Sequence, residues 1–90
     1  MSILHLAKTL PDGRVVAFHA PTEFHLDVTT NHMQIIVESY DTESAARNRG
    51  TASVKSAVDV PLPGWDMVYA NNLINFVMAD PRWVDAVVLS

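Results

Sequence analysis

The Pro11-Asp12-Gly13 segment, flanked by two alternating segments, constrains the fold of this chain more than any other feature. Proline presets φ, aspartate hydrogen-bonds back to the chain and glycine accepts a positive φ, which together favour a tight turn. A hairpin loop of this length with glycine last fits a type I turn followed by a bulge. The register that follows pairs Leu6 with Phe18 and His5 with His19.

Alternation of apolar and polar residues predicts strands on both sides of this turn and beyond it. In the second strand Phe18 and Leu26 share one face, whereas His19 and His25 share the other, which indicates a sheet with one solvated face. Pro21 lacks a donor N–H and therefore marks a bend, a bulge or an edge position. The predicted strands span Ser2–Leu10, Arg14–Val28, His32–Tyr40, Thr51–Val60 and Trp83–Leu89.

Two segments depart from this alternation. Residues Asp41–Gly50 are polar and predict a mobile loop with one helical turn at Glu43–Arg47. Residues Trp65–Ala79 carry apolar side chains at helical spacing, with asparagines on the opposite side, and predict a helix that ends before Pro81. The last strand is apolar on both faces apart from Asp85, so we expect other elements to cover both of its faces.

The predicted order is β-β-β-β-α-β, which defines an α+β fold. We expect an antiparallel sheet of four to five strands with one helix packed on a face. A chain of 90 residues is long enough for one hydrophobic core, and we expect a single domain over residues 1–90.

Composition excludes several classes of function. The net charge is −4, and the 6 basic residues are scattered among 10 acidic ones, which argues against nucleic-acid binding. The absence of cysteine excludes disulfides, thiolate metal sites and a thiol nucleophile. The most apolar segment, residues 65–79, is shorter than the ~20 apolar residues of a membrane span. We therefore expect neither a nucleic-acid nor a membrane partner.

Histidines on the solvated face are weak candidates for a metal site, because two imidazoles and a carboxylate can bind zinc. The candidates are His5, His19 and His25. Alternate positions along a strand lie ~6.5–7 Å apart, so this set is too spread for one ion unless the strand kinks at Pro21. We expect ordinary surface histidines and no cofactor. If His5 and His19 face each other, the hairpin should weaken below about pH 6.5.

The sequence gives no sign of catalysis. None of its serines stands in a nucleophile elbow, and the glycines are single rather than grouped in a phosphate-binding loop. We therefore expect a protein that is not an enzyme.

Four aromatic residues flank the predicted helix or lie on it, and they have two interpretations. They either cap a small core or form an exposed patch that anchors another protein, since tryptophan and tyrosine are enriched at binding hot spots. The surplus of apolar surface around the helix favours the patch. The candidate interface residues are Trp65, Tyr69, Phe76 and Trp83.

Several short segments resemble small proteins encoded among the tail genes of tailed bacteriophages. The resemblance depends on Lys8-Thr9-Leu10, Asp12-Gly13-Arg14, His19 and Val58-Asp59-Val60-Pro61-Leu62, and it covers about half of the chain in patches. Those proteins similarly begin with a strand, a turn of this type and a histidine-rich second strand. This chain departs from them by ending at Ser90, where they often continue into a charged helical tail.

The resemblance implies a structural or adaptor component of a phage tail, baseplate or tail-fibre attachment. Such a protein would assemble in the host cytoplasm, reside in the virion, and bind other phage structural proteins and further copies of itself. It carries over no catalytic or binding residue. Two alternatives stay open: a transient assembly chaperone or regulatory binding protein, and a small metal- or ligand-binding domain that uses the histidine face.

Overall fold

The structure, a computed structural model, describes residues 2–68 and 70–89. Five strands form one antiparallel sheet: β1 (Ile3–Thr9), β2 (Val15–Asp27), β3 (His32–Tyr40), β4 (Val54–Pro61) and β5 (Val87–Leu89). Their order across the sheet is β4-β3-β2-β1-β5. Two α-helices, α1 (Glu43–Arg47) and α2 (Ala70–Met78), complete the chain. The predicted α+β class is therefore confirmed.

The hairpin of β1 and β2 follows the predicted register only near its turn. Thr9 pairs with Val15, as expected, but a bulge between His5 and Lys8 shifts every later pair by one residue. His5 then lies opposite Phe18, and His19 lies opposite Leu4. The predicted pairing of His5 with His19 is wrong, because an extra residue in one strand moves all the side chains beyond it.

A second irregularity lies in β2 at Pro21, where the pairing with β3 shifts between Pro21 and Glu23. The sequence predicted a bend, a bulge or an edge position here, and a bulge is what forms. The prediction that Phe18 and Leu26 share a face is wrong, because Phe18 lies opposite Tyr40, whereas Leu26 lies opposite Met33. Tyr40 and Met33 lie an odd number of residues apart in β3 and therefore point to opposite faces of the sheet.

The main core lies between the sheet and α2. Buried side chains from β3 and β4 pack against Leu73, Ile74 and Val77 of the helix, together with Trp83 and Ala86. The strand residues of this core are Met33, Ile35, Val37, Val58 and Val60, with Leu4 from β1. The predicted helix over this stripe is confirmed, but it is shorter than Trp65–Ala79.

The N-terminal part of the predicted helix is a separate 3-10 turn, Trp65–Met67. The amide Nδ2 of Asn72 donates a hydrogen bond to the Met67 carbonyl oxygen at 2.7 Å, and the Asn72 side chain is buried. The asparagines were predicted on the solvent side of the helix. For Asn72 this is wrong, because its amide reaches back from α2 and donates to a carbonyl of the preceding 3-10 turn.

The opposite face of the sheet is covered at one corner by α1. Ala46 packs there against Ile3, Ala20 and Tyr40. The helical turn predicted at Glu43–Arg47 has the bounds of α1, and Thr42 caps it by accepting a hydrogen bond from the Ala45 N–H at 3.1 Å. Such a cap satisfies one of the N–H groups that the first turn leaves unpaired.

The last predicted strand, Trp83–Leu89, is only partly a strand. Residues 81–85 form turns in which the Trp83 N–H bonds to the Asp80 carbonyl and the Ala86 N–H bonds to the Trp83 carbonyl. Only Val87–Leu89 pairs, and it pairs with β1 at the edge of the sheet. Val87 and Val88 are 57% and 43% exposed, so the expected cover on both faces is not found.

Candidate functional site

The bulge in β1 coincides with a buried side-chain hydrogen-bond network centred on His19. Nε2 of His19 lies 2.7 Å from the Leu6 carbonyl oxygen, and Nδ1 lies 2.7 Å from Oγ of Ser39. Leu6 belongs to the bulged segment between His5 and Lys8, where the strand pairing is interrupted. The imidazole therefore satisfies a carbonyl group beside the interrupted ladder.

The partners of His19 define its tautomer. A carbonyl oxygen can only accept, so Nε2 carries the proton and donates to Leu6; in the neutral ring Nδ1 then accepts from the Ser39 hydroxyl. Burial lowers the pKa of His19, and the charge of Lys8 lowers it further, whereas the bond to the Leu6 carbonyl raises it. The net direction is downward from 6.5, so the ring is neutral at pH 7.

Trp83 lies against this histidine and is itself almost completely buried. The indole meets the imidazole of His19 edge to face, with ring centroids 4.6 Å apart. The indole has a second contact, with Lys8: Nζ of Lys8 lies 4.0 Å from the indole centroid, within the range of a cation–π interaction. The turns of residues 81–85 position Trp83 here, so a segment predicted as strand instead supplies a core aromatic.

Arg82 stands beside Trp83 and ties the same turn to the sheet. Its Nε lies 3.0 Å from Oδ1 of Asp80, and its Nη2 donates to the Ala57 carbonyl oxygen of β4 at 2.9 Å. Hydrogen bonds from the Arg82 side chain and backbone lower the pKa of the Asp80 carboxyl, which stays ionised. Burial lowers the pKa of Lys8, and the Arg82 guanidinium adds to the effect, while Asp80 opposes it.

These residues surround a cleft of about 200 Å³, which we call the Trp83 cleft. Its polar lining consists of Lys8, Thr9, Ser39, Ser56, Arg82 and Trp83. Its apolar lining includes Val16 and Val54. Two buried polar atoms of this lining, Nε1 of Trp83 and Oγ of Ser56, have no hydrogen-bond partner among the residues that the structure describes. The cleft thus brings together two cations, three hydroxyl-bearing residues and an indole N–H.

A second, larger concavity of about 500 Å³ lies on the other face of the sheet, at the end of β2 and β3. Its lining includes His25, Asp27, His32, Gln34 and Asp59. These side chains are exposed, and His25 forms an ion pair with Glu23 when protonated, with 3.4 Å between Nε2 and Oε2. This concavity is polar and exposed to solvent, as the alternation of β2 predicted for the position of His25.

The three histidines considered for a metal site do not meet. His5 is exposed and stacks on Phe18, with centroids 4.9 Å apart, whereas His19 is buried on the other face of the sheet. His25 is far along β2, beyond the Pro21 bulge. Over residues 2–68 and 70–89, no group of three or more His, Asp or Glu side chains is arranged to hold a metal ion. The expected face-to-face pair fails because the β1 bulge separates His5 from His19.

Of the four candidate interface aromatic residues, two have side chains that the structure describes. Trp83 is 2% exposed and belongs to the core, so it does not stand on an exposed patch. Phe76 is half-buried and packs against the same core. Trp65 lies in the 3-10 turn, but its side chain, like the whole of Tyr69, lies outside the described residues. For Trp83 the interpretation as core is correct, because the turn that precedes β5 places the indole inward.

Exposed apolar side chains concentrate instead near β5. Val84, Val87 and Val88 are 60%, 57% and 43% exposed, and they lie within five residues, in the edge strand β5 and in the turn before it. Sequence reasoning missed this edge because it assigned cover to both faces of the last strand. The hydrophobic run without a charge after Asp85 was the signal available for it.

Comparisons with known proteins add no relative. No protein-family model, curated protein or solved structure matches the chain. No helix among residues 2–68 and 70–89 is long and apolar enough to cross a membrane.

Proposed function

We propose that this chain is a non-enzymatic interaction domain that binds a strand of a neighbouring subunit along β5. An edge strand presents unpaired backbone N–H and C=O groups, which form a template for another strand. Exposed valines on both sides of that backbone would add apolar contact to the main-chain hydrogen bonds. Val87 and Val88 supply such contact in this chain.

The observation that carries this proposal is the difference between the two edges of the sheet. The outer strand β4 contains Lys55, Asp59 and Pro61, which are the charged and proline residues that discourage pairing at an edge. The outer strand β5 consists of Val87, Val88 and Leu89 and has none of them. One edge therefore carries charge and proline against strand addition, whereas the other is protected only by its short length of three residues.

The resemblance to tail-associated phage proteins extends the proposal to a biological setting. We propose that the partner is another tail, baseplate or fibre-attachment subunit, including further copies of this chain, and that the domain resides in the assembled virion. The adaptor would act through shape, with the sheet and α2 as a rigid support for the β5 edge. The transient chaperone remains the competing function, since it would use the same edge.

The strand-addition proposal is tested with one substitution at the edge and a matched control. Val87→Lys places a charge on β5, whereas Val28→Lys places it at a still more exposed valine in the turn between β2 and β3. Native mass spectrometry and light scattering should show assembly of the wild type and of Val28→Lys, and its loss in Val87→Lys. Equal assembly by both variants would contradict a role for β5.

A second experiment separates the structural component from the chaperone. Particles of the phage that encodes the chain are purified and analysed by quantitative mass spectrometry. A structural component is retained at a fixed copy number per particle, whereas an assembly chaperone is lost. Absence from the particles would overturn the virion assignment and leave strand addition to be judged by the Val87→Lys result.

A further inference from the structure

The Trp83 cleft carries more hydrogen-bond donors than acceptors. Among the residues that the structure describes, none accepts a hydrogen bond from Nζ of Lys8 or from Nη1 of Arg82. The indole Nε1–H of Trp83 and the hydroxyl of Ser56 are also unpaired, and these two groups are buried. A buried donor without an acceptor is destabilising, so these two donors, beside two solvent-accessible cations, favour a ligand that is rich in acceptors.

The charges at the cleft point to an anion. Lys8 and Arg82 both line it, and their mutual repulsion contributes to lowering the pKa of Lys8. Asp80 and Asp59 attract Arg82, but neither lies in the lining of the cleft. An anion placed between the two cations would replace a repulsive contact with two attractive ones.

The remaining lining sets the kind of anion. The Ser39 hydroxyl proton is engaged by His19, so this group presents no further donor while the imidazole is neutral. Val16, Val54 and the indole of Trp83 give the cleft apolar walls. Its volume of about 200 Å³ corresponds to roughly seven waters at ~30 Å³ each, which suits a small molecule or the end of a chain.

We propose that the Trp83 cleft binds a carboxylate attached to a short, branched apolar group. The carboxylate oxygens contact Lys8 and Arg82, and the apolar group lies against Val16 and Val54. Lys8 covers the indole in this structure, and its unbranched side chain swings by rotation about single bonds to meet the ligand and uncover Trp83. The same chemistry occurs in a free organic acid and at the C-terminus of a peptide that ends in valine or leucine.

Nuclear magnetic resonance of the ¹⁵N-labelled chain tests this proposal with isovalerate as the probe and isovaleramide as its neutral counterpart. The two indole N–H signals are assigned with the variant Trp65→Phe. We expect isovalerate at constant ionic strength to shift the Trp83 indole signal and the Lys8 and Ser56 amides in a saturable way. Isovaleramide should shift none of them. An absence of saturable shifts, or equal shifts with isovaleramide, would overturn the proposal.

The chain offers a matched pair of lysine variants, since Lys8 and Lys55 are its two lysines. Lys8→Met keeps an unbranched side chain over the indole and removes the charge, so we expect isovalerate affinity to fall by about tenfold or more. Lys55→Met, at an exposed side chain of β4, should leave it unchanged. A thermal unfolding curve for each variant shows that the fold is kept. Equal losses in both variants would contradict the assignment to this cleft.

Two further probes identify the source and the class of the anion. Tighter binding of N-acetylglycylvaline than of isovalerate would support the proposal and assign the site to a peptide C-terminus, whereas the reverse order would support it and assign a free acid. Inorganic phosphate binding as tightly as both would overturn the carboxylate class, because apolar walls add nothing to phosphate affinity.

Discussion

The indole ring of Trp83 meets the imidazole ring of His19 edge to face, with centroids 4.6 Å apart. The position of each ring is set by a nearby departure from regular strand structure. His19 bonds to the Leu6 carbonyl beside the β1 bulge, and Trp83 enters the core from the turns that replace the first half of the predicted last strand. Two departures from regular strand geometry therefore meet at one contact.

Trp83 should be essential for stability. Truncation of a buried tryptophan typically costs about 3–5 kcal/mol, so we expect Trp83→Ala to lower the free energy of unfolding by that amount in a urea titration. Trp83→Phe keeps the ring packing and removes the unpaired Nε1–H, and it should cost much less. Phe24→Ala is the control, since Phe24 is 42% exposed. A Trp83→Ala variant as stable as wild type would restore the exposed-anchor interpretation.

His19 should make the fold sensitive to mild acid. Its pKa in the folded chain is lowered from 6.5. Just below pH 6.5, His19 is therefore protonated in the unfolded chain but still neutral in the folded chain. The free energy of unfolding should therefore fall as pH decreases from 6.5 towards the folded pKa, by up to about 1.4 kcal/mol per pH unit. Above pH 6.5 both states are neutral at this residue, and the dependence disappears.

The variant His19→Gln isolates this contribution, because glutamine can donate to the Leu6 carbonyl but does not titrate. We expect it to be less stable than wild type at pH 8 and to have a flatter stability profile between pH 5 and 7. The variant His25→Gln is the control, since His25 is exposed and lies beyond the Pro21 bulge, whereas His5 contributes to lowering the pKa of His19. A profile that flattens equally in His25→Gln would show that the acid sensitivity does not come from His19.

Gly13 should be needed for the hairpin turn. Its φ of +90° lies in the region that disfavours a side chain, although a Cβ there would meet no atom within 4 Å. Gly13→Ala should therefore cost about 1 kcal/mol through the backbone alone. Gly50→Ala is the matched control, because its Cβ would make only ordinary contacts near 3.8 Å and its φ is not in that region. Equal unfolding midpoints for the two variants would show that the turn adapts to a side chain.

Local sequence signals predicted the elements well where each element depends on its own residues. The β3 strand and the α1 helix have the predicted bounds, because alternation and a short capped segment are readable without the rest of the chain. The β1 bulge was not predicted, and the bulge at Pro21 was predicted in position but not in effect, since one extra residue changes the face of everything beyond it. The β1 bulge is the reason why His5 and His19 do not pair.

The Trp83 cleft is assembled from residues that lie far apart in the chain, so no motif could reveal it. One signal was nevertheless present. Ser39 and Ser56 occupy inward positions of strands whose other inward residues are apolar; Ser56 pairs with the core residue Val37, and Ser39 pairs with Val54. A polar residue at an inward position indicates a buried polar contact or a site. The role of Arg82 could not be inferred, because it depends on the turn that replaces the strand.

Asn72 should stabilise the junction between the 3-10 turn and α2. Its buried amide donates to the Met67 carbonyl, and its Oδ1 accepts from Nδ2 of Asn75 at 2.9 Å. Asn72→Ala leaves the Met67 carbonyl without this donor, so we expect a loss of about 1–3 kcal/mol in the free energy of unfolding, measured by urea titration. Asn75→Ala removes only the exposed partner and should cost less than about 1 kcal/mol. If the two variants lose equal stability, the asparagine pair rather than the bond to Met67 holds this junction.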